Sequence, residues 1–397
     1  MDALSALLGL PDRLGAEHTA REIAQQPETW AGTLALCRGR QAGLRAFVAG
    51  QAGRPVLLAG AGTSDFVGRS VERLLERRWR TPVHAVASTE LLTGMDDWLR
   101  TDEGALCISF SRSGDSSEGV AVIEELRRRF PRVAHLVITC NAQGAMAKLM
   151  HGQTQSCALV LDPATNDRGL AMTSSFSNMV VAGQALAYLD DLDGYGAMLD
   201  QLATSAASLL PRAADAAAKL AKSGFTRVCF LGSGALRATA AESALKVQEL
   251  TAGRIFTMSE SFLGLRHGPL SFIDRQTLVV AYLASGAGTR SYESDLLREL
   301  HDKKLGATIA VTGFGLTPDI SEVAHVALDL GKGIRSAPHE LPDALRPPLD
   351  VIFGQLLGLF CSLEAGLKPD TPSPTGAISR VVSHVKIHSS QPVPELK

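Results

Sequence analysis

The stretch from Ala105 to Arg129 contains the residues best suited to binding an anion. A short apolar run at 106–108 leads into a turn rich in hydroxyl groups, and apolar residues then recur at helical spacing. Gly114 allows a sharp turn, and the free N–H groups at the start of a helix favour a phosphate. Helix capping would account for one serine, yet seven residues hold four serines and an arginine. The predicted phosphate-binding residues are Ser111, Arg112, Ser113 and Ser116.

A second group of candidates could move a proton. Glu242, Lys246 and Glu249 are spaced i, i+4 and i+7, which places them on one face of a predicted helix. A glutamate is long enough to reach two adjacent carbons of a sugar and basic enough to carry a proton between them. The same spacing more often belongs to a solvated ion pair. His267, fixed before Gly-Pro, could titrate near neutrality, although a single histidine is more often structural.

A further hydroxyl cluster follows the apolar run 158–161 and precedes an apolar helix near Met179. It contains Thr173 and Ser174, whose hydroxyl groups could contact those of a sugar. Helix capping explains the cluster equally well, so both interpretations stand at this point.

Strands that alternate with helices must position these groups. Buried strands are predicted at 55–59, 83–87 and 133–139, with helical patterns between them. The alternation indicates a parallel sheet with right-handed crossovers, in which ligands bind at the carboxyl ends of strands. The first strand leads into a glycine turn, but the third glycine of a dinucleotide-binding motif is replaced by Asp65, whose charge would repel a pyrophosphate. We therefore expect an α/β fold and no nicotinamide cofactor.

An internal repeat organises the whole chain. The segment 228–234 repeats 56–62, and 278–286 repeats 106–114 at the same offset in numbering. One register held over such a distance indicates duplication of an α/β domain. The second turn, at 285–290, has lost most of the hydroxyl groups. We therefore assign phosphate binding to the first copy and expect chemistry from both.

Composition limits the class of protein. The 397 residues exceed the usual size of one core, and a hydrophobic content of 45% is ample for two packed domains. A formal net charge of −2 gives no general attraction to nucleic acid or to an anionic membrane. The six cysteines lack CxxC spacing, and the sequence shows no signal peptide or membrane-spanning run. We expect a soluble, cytoplasmic protein with reduced cysteines that acts on small molecules.

Helices are also predicted outside the two copies. Residues 1–50 are expected to form a helical lead-in, with Thr19 as an N-cap and Glu22 completing a capping box. Residues 185–221, rich in alanine and leucine, are expected to form a helical connector between the copies.

These motifs together resemble the sugar isomerase (SIS) domain superfamily, most closely its AgaS-type branch, described as tagatose-6-phosphate ketose/aldose isomerase or galactosamine-6-phosphate deaminase. The resemblance covers nearly the whole chain and is carried by the segments LAGAGTSDFVGRS, HAVASTELLT, SFSRSGDSSE, NDRGLAMTSSFS, LGSGALRATAAESALKVQELTAG, SFLGLRHGP and PDTPSPTGAISRVVSHVKIH. It implies tandem SIS domains, each a five-stranded parallel sheet flanked by helices in a three-layer, flavodoxin-like arrangement. It also implies a homodimer or higher homo-oligomer with sites near the subunit contacts. The expected domains are a helical segment (1–50), a first SIS domain (51–205), a second SIS domain (206–375) and a tail that contributes to the site (376–397).

The isomerase half of glucosamine-6-phosphate synthase belongs to the same superfamily, and the resemblance to it assigns roles by motif. Its phosphate-binding loop matches the serine-rich turn, with Gly62, Thr63 and Ser64 contributing from the first glycine turn. Its base matches Glu249, with Lys246 as the neighbour. Its ring-opening histidine, which that enzyme draws from the partner subunit, matches the histidine before Gly-Pro.

This sequence departs from that synthase at two positions. A lysine of the synthase is replaced by Ser174, and Arg380 is merely the nearest cation to the synthase's C-terminal lysine. The sugar end of the pocket is therefore the part that the resemblance describes least.

The reaction expected from both lines of reasoning converts galactosamine 6-phosphate to tagatose 6-phosphate and ammonia, by ring opening and proton transfer between C2 and C1, with no metal or organic cofactor. Plain tagatose-6-phosphate isomerisation and glucosamine-6-phosphate deamination are the alternatives. A non-catalytic sugar-phosphate-binding regulator is a rival of another class, which the joint presence of Glu249, Lys246 and His267 disfavours.

Overall fold

The chain forms two compact units, each with its own sheet. The computed structural model describes residues 1–9, 14–100, 103–305, 307–332, 341–382 and 385–388. Contacts divide the chain into a first-sheet unit (32–166, 178–192 and 378–397) and a second-sheet unit (1–31, 167–177 and 193–377). The predicted domain boundaries stay a prediction, and parts of the predicted tail, 383–384 and 389–397, lie outside the described residues.

The N-terminal helical lead-in is present. Its helices are α1 (Ala3–Leu8), α2 (Glu17–Ala24), α3 (Gln26–Gly39) and α4 (Gln41–Ala49). The predicted capping box is wrong, because α2 begins two residues before Thr19. The Thr19 hydroxyl instead donates to the Asp370 carboxylate at 2.7 Å, and the Glu22 carboxylate accepts from the N–H of Arg168. Contacts with distant segments have replaced the local cap.

The first sheet is parallel throughout. Its strands are β1 (Val56–Gly60), β2 (Val83–Ala87), β3 (Leu106–Ser111), β4 (Ala134–Thr139) and β5 (Ser156–Val160). Among the described residues their order is β2-β1-β3-β4-β5, and the crossovers carry the helices α5 (Thr63–Trp79), α6 (Ser88–Thr93), α7 (Ser117–Arg129) and α8 (Ala145–Met150). Every residue of β1, β3 and β4 is buried, as their continuous apolar runs predict for strands covered on both faces.

Two long helices follow the first sheet. They are α9 (Ser174–Ala187) and α10 (Leu192–Ala221). The predicted connector at 185–221 is confirmed in its larger part by α10, which continues through Pro211. Alanine and leucine favour the helix strongly enough to offset one interior proline.

The second sheet repeats the first. Its strands are β6 (Arg227–Gly232), β7 (Phe256–Glu260), β8 (Thr277–Tyr282), β9 (Thr308–Gly313) and β10 (Val326–Asp329). Within the described ranges the order is β10-β9-β8-β6-β7, which is the same pattern read from the other edge. Its helices are α11 (Ala235–Leu250), α12 (Phe262–Leu265), α13 (Ala287–Asp302), α14 (Pro318–Val323) and α15 (Pro347–Glu364). Two parallel sheets with flanking helices confirm the predicted fold class.

The repeat is visible in individual backbone angles. Gly62 has φ 56° and ψ −126°, and its equivalent in the second copy, Gly234, has φ 57° and ψ −128°. A side chain at Gly60 would place its Cβ 2.3 Å from the backbone of Ser64, and one at Gly232 would lie 2.2 Å from the backbone of Leu236. Both copies therefore need glycine at the same two places, for a positive φ and for a close approach of helix to strand.

The cysteines and the helices bear on what the composition predicts. All six cysteines are free thiols, as predicted. Across the part of the chain that the structure describes, none of the helices combines the length and the apolar character needed to cross a membrane.

Candidate active site

The serine-rich turn, residues 112–116, joins the central strand β3 to α7. Gly114 has φ +68°, which permits the reversal. The Ser111 hydroxyl accepts a hydrogen bond from the N–H of Gly114 at 3.0 Å, and the Ser113 hydroxyl accepts one from the N–H of Asp115 at 3.2 Å. The N–H of Ser113 makes no hydrogen bond to any described residue. The turn therefore presents hydroxyl groups and the unused N–H of Ser113 shortly before α7 begins at Ser117, and these are donors of the kind that an anion site uses.

The first glycine turn lies beside this serine-rich turn. Strands β1 and β3 are neighbours, paired from Val56 with Leu106 to Ala59 with Ser109, so the turns that follow them meet at one edge of the sheet. The strand order reverses between β1 and β3, and ligands of open α/β sheets bind at such a switch point. Thr63 and Ser64, at the start of α5, are buried at this edge.

The two carboxylates nearest these turns are paired elsewhere. Asp115 accepts a hydrogen bond from the N–H of Ala145 at 2.8 Å, which draws it toward α8. Asp65 forms an ion pair with Arg69 at 2.8 Å, and burial raises the pKa of the Asp65 carboxyl. Arg112 supplies the positive charge within the serine-rich turn.

Arg112 and Arg380 are brought together within the first-sheet unit. Arg112 is 5% exposed, and its guanidinium donates to the backbone carbonyl of Arg380 at 2.6 Å. The Arg380 guanidinium donates in turn to the Asn166 side chain at 2.6 Å. The tail residue therefore lies at the predicted phosphate turn, although the sequence singled it out only as the nearest cation.

The acid–base candidates lie on α11 of the second-sheet unit. Lys246 is fully buried, with its ammonium 2.5 Å from the Glu249 carboxylate and 3.4 Å from that of Glu242. Glycines of α15 allow α11 to approach closely: a Cβ at Gly354 would lie 2.2 Å from the side chain of Ser243, also on α11. A buried ammonium is tolerated because two carboxylates surround it.

Glu249 differs from Glu242 in its access to solvent. The Glu249 side chain is 25% exposed, whereas that of Glu242 is fully buried. A carboxylate that reaches solvent while a buried lysine holds it is positioned to take and return a proton. The interpretation as a solvated ion pair does not fit, since the lysine is not solvated.

His267 lies on an exposed loop between α12 and a short 3-10 turn at Pro269–Phe272. Gly268 has φ +112°, a conformation that only glycine adopts readily, so any other residue directly after the histidine would strain the loop. The His267 imidazole makes no hydrogen bond to any described residue, and so none to Glu249 or Lys246.

Thr173 and Ser174 are fully buried in the second-sheet unit. The Thr173 hydroxyl donates to the Asp167 carboxylate at 3.1 Å, and the Ser174 hydroxyl donates to the backbone carbonyl of Glu22 at 2.6 Å. The Asp167 carboxylate also accepts the N–H groups of Thr173, Ser174 and Ser175 at 2.8 to 3.0 Å, so it caps α9. These hydroxyls are engaged internally, and their role as sugar contacts stays a prediction.

The sequence pattern predicts Glu22 only as part of a capping box. It does not identify the carboxylates of Glu22 and Asp167 as the groups that hold residues 168–175. Glu22 is 6% exposed and accepts hydrogen bonds from the N–H groups of Arg168 and Gly169. Burial, followed by the negative charges of Asp167 and Asp370, raises the pKa of the Glu22 carboxyl to about 7. The available signal was an aspartate six residues before a run of hydroxyl groups, which is where a capping side chain can fold back.

The two units thus supply different chemistry. The first-sheet unit brings together the predicted anion-binding residues, and the second-sheet unit brings together the predicted base and its lysine. Hydrogen-bond donors for an anion, in the first-sheet unit, and a carboxylate held by a lysine, in the second-sheet unit, are the kinds of group that a phosphorylated substrate with a mobile C–H proton would need.

This chain is similar to known proteins. A family model described as "SIS domain" matches residues 52–189. A Streptomyces coelicolor protein, provisionally named D-galactosamine-6-phosphate deaminase AgaS, is 37% identical over 386 residues, which is 96% of this chain and 97% of that protein.

Two Escherichia coli proteins are similar over nearly their full lengths. One from strain O157:H7, named D-galactosamine-6-phosphate deaminase AgaS, is 33% identical over 393 residues, covering 94% of this chain and 96% of that protein. The crystal structure of the other, described as tagatose-6-phosphate ketose/aldose isomerase, has a TM-score of 0.85 and 32% identity, covering 94% of this chain and 97% of that one.

Proposed function

We propose that this chain, which belongs to the SIS domain family and within it to the AgaS proteins, converts D-galactosamine 6-phosphate to D-tagatose 6-phosphate and ammonia. The observation that carries this proposal is the similarity, over almost the full chain, to proteins named D-galactosamine-6-phosphate deaminase. The similarity makes the chain a sugar-phosphate enzyme of the isomerase and deaminase type. The geometry of its own residues supports the steps that follow.

The substrate phosphate is held by the serine-rich turn. Ser111, Ser113 and Ser116 supply hydroxyl groups and Arg112 supplies a guanidinium, with Gly62, Thr63 and Ser64 contributing from the neighbouring glycine turn. The support is their common edge of the sheet and the unused N–H of Ser113. Hydrogen bonds to a charged oxygen contribute about 1.5–3 kcal/mol each, so this anchor sets the binding energy.

Glu249 is the base. After ring opening, its carboxylate removes the proton from C2 to give an enolamine and returns the proton to C1, which leaves an imine at C2. Addition of water and loss of ammonia then give the ketose. Lys246 acts as a positioning residue that holds the carboxylate in place, because its buried ammonium lies 2.5 Å from the Glu249 carboxylate.

His267 opens the ring, and we propose that it acts from the partner subunit. The support is its exposed loop and the lack of any hydrogen bond from its imidazole to the described residues. The protein would then be a homodimer or a higher homo-oligomer of the cytoplasm. The corresponding test mixes a Glu249→Gln variant with a His267→Ala variant after dissociation: subunits that complete each other's sites regain activity, whereas sites built from one chain stay inactive.

Ammonia release measured with galactosamine 6-phosphate, glucosamine 6-phosphate and tagatose 6-phosphate side by side tests the reaction. Ammonia and a ketose from galactosamine 6-phosphate at the highest kcat/KM support the proposal. Interconversion of tagatose 6-phosphate with an aldose, without release of ammonia from either hexosamine, would instead make it a plain isomerase, the activity in the description of the Escherichia coli structure. Tight binding with no turnover of any of the three would overturn the enzyme assignment.

A further inference from the structure

The second-sheet unit has a counterpart of the serine-rich turn at residues 283–286. This turn follows β8, the central strand of its sheet, and leads into α13, as the serine-rich turn follows β3 and leads into α7. Ser285 is the equivalent of Ser113 in the register of the internal repeat. The two turns can therefore be compared residue by residue.

The N–H of Ser285 is already bound to a carboxylate of this chain. It donates to the two carboxylate oxygens of Asp343 at 2.9 and 3.1 Å, although Asp343 lies 58 residues further on. The N–H of Ala284, directly before it, donates to the Glu293 carboxylate at 2.7 Å. In the first copy, the equivalent N–H of Ser113 has no acceptor among the described residues.

A guanidinium and a hydroxyl complete this carboxylate site. Arg346 donates to the Asp343 carboxylate at 2.7 Å and to the Ser285 hydroxyl at 3.1 Å. Arg346 is fully buried and is held from its other side by Asp350, at 2.9 and 3.0 Å. An N–H, a serine hydroxyl and an arginine are the same kinds of donor that the first turn offers with Ser113 and Arg112.

We propose that Asp343 is an internal ligand of this second turn, which closes it to phosphate and so restricts the chain to one phosphate-binding turn. Its carboxylate is attached to the chain and acts at a high effective concentration, which a free phosphate cannot match. Its charge also repels any dianion that approaches. The inference rests on the proposed function only in taking the first turn as the open site.

Removing the Asp343 carboxylate would expose the second turn to solvent. The Asp343 side chain is 27% exposed, and Gly286 of the turn and the first three residues of α13, 287–289, are exposed as well. Arg346 would keep its ion pair with Asp350, so its guanidinium would stay in place to receive an incoming anion.

The test is performed in the full chain with the first turn disabled by Arg112→Ala and Ser113→Ala. In that background we expect inorganic phosphate to bind weakly or not at all by calorimetry. Adding Asp343→Ala is expected to tighten phosphate binding by at least about tenfold, with a matching rise in melting temperature on addition of phosphate. Asp343→Asn, which keeps the side-chain volume, is expected to gain binding in the same direction and guards against a folding defect.

Two controls make the result specific. Asp343→Glu retains a carboxylate and is expected to leave the turn closed. Asp274→Ala removes a comparable carboxylate from the same unit. The Asp274 carboxylate accepts the N–H of Gln276 at 2.9 Å and forms an ion pair with Arg227 at 3.1 Å. Equal phosphate binding by the Asp274 variant, or no gain in either Asp343→Ala or Asp343→Asn, would overturn the proposal whatever the outcome of the ammonia assay.

Discussion

Two turns at the same place in two similar sheets differ in what fills them. In the first copy the N–H of Ser113 lacks an acceptor among the described residues, and the nearby Asp115 is drawn away by Ala145. In the second copy the N–H of Ser285 is held by the carboxylate of Asp343. The strand order and the glycine angles are alike, so the fold alone does not decide whether a turn receives a ligand. The difference depends on one acidic side chain from a distant segment.

The same comparison separates the tasks of the copies. The first copy carries the proposed phosphate-binding turn, whereas the second carries Glu249 and Lys246 on the helix that follows its first strand. In the first copy that helix is α5, which begins with Thr63 and Ser64 at the edge of the sheet where phosphate binding is predicted. In the proposed function, equivalent helices therefore have different roles: α5 contributes to phosphate binding and α11 carries the base.

The largest effect is expected from the base. Glu249→Gln removes the proton acceptor but leaves the proposed phosphate-binding residues unchanged. We therefore expect kcat to fall by about 10²–10⁴-fold, while the Kd for galactosamine 6-phosphate changes little. Steady-state ammonia release and calorimetric binding measure the two quantities. Glu364→Gln, at the C-terminal end of α15, is the matched control. A Glu249→Gln variant that keeps most of its activity would remove the division of labour between the copies.

The second prediction concerns the arginine that supports the closed turn. Asp350→Asn leaves Arg346 buried with one of its two carboxylate partners removed, and such a loss costs about 3–5 kcal/mol in the free energy of unfolding. Denaturant unfolding measures this change. Asp295→Asn, in an exposed pair with Arg298, is expected to cost less than about 1 kcal/mol. Equal effects of the two substitutions would show that the cluster around Arg346 does not support the second turn.

The third prediction contrasts the equivalent serines. Ser113→Ala removes one hydroxyl from the open turn, and losing a hydrogen bond to a charged group costs about 1.5–3 kcal/mol, so KM is expected to rise roughly 10–100-fold. Ser285→Ala, in the closed turn, is expected to leave KM unchanged. Similar increases in KM for both variants would mean that both turns meet the substrate phosphate.

The sequence predicted most of the architecture. The internal repeat paired 56–62 with 228–234, and the structure gives Gly62 and Gly234 nearly identical backbone angles, φ 56° and 57° with ψ −126° and −128°. Such motifs are predictable because glycine requirements and buried apolar runs are local properties. The edge strands β7 and β10 escaped prediction, since β7 is exposed or half-buried and lacks a continuous apolar run.

The side chains that fill the turns could not be predicted from local pattern. Asp343 is 58 residues from Ser285, and Asp370 is 351 residues from Thr19, so both contacts depend on packing of the complete unit. The hydroxyl groups of Thr173 and Ser174 looked available in the sequence, yet Asp167 and the backbone of Glu22 bind them. A polar residue near a helix start identifies a possible donor but not its acceptor.

The smallest effect is expected from titration of the Glu22 carboxylate. Backbone N–H groups donate to this carboxylate, whereas a guanidinium donates to that of Asp343. Since the pKa of Glu22 in the folded state is about 7, above the ordinary value of 4.5, the folded chain binds more protons than the unfolded chain between these values. The contribution of Glu22 to the free energy of unfolding is therefore fully present below pH 4.5 and is lost as pH rises through 7, by about 1 kcal/mol between pH 6 and pH 8. Urea unfolding across this range measures the slope. Glu22→Gln should flatten it, whereas Glu28→Gln, on the exposed face of α3, should leave it unchanged. A slope that persists in the Glu22 variant would place the titrating group elsewhere and contradict the prediction.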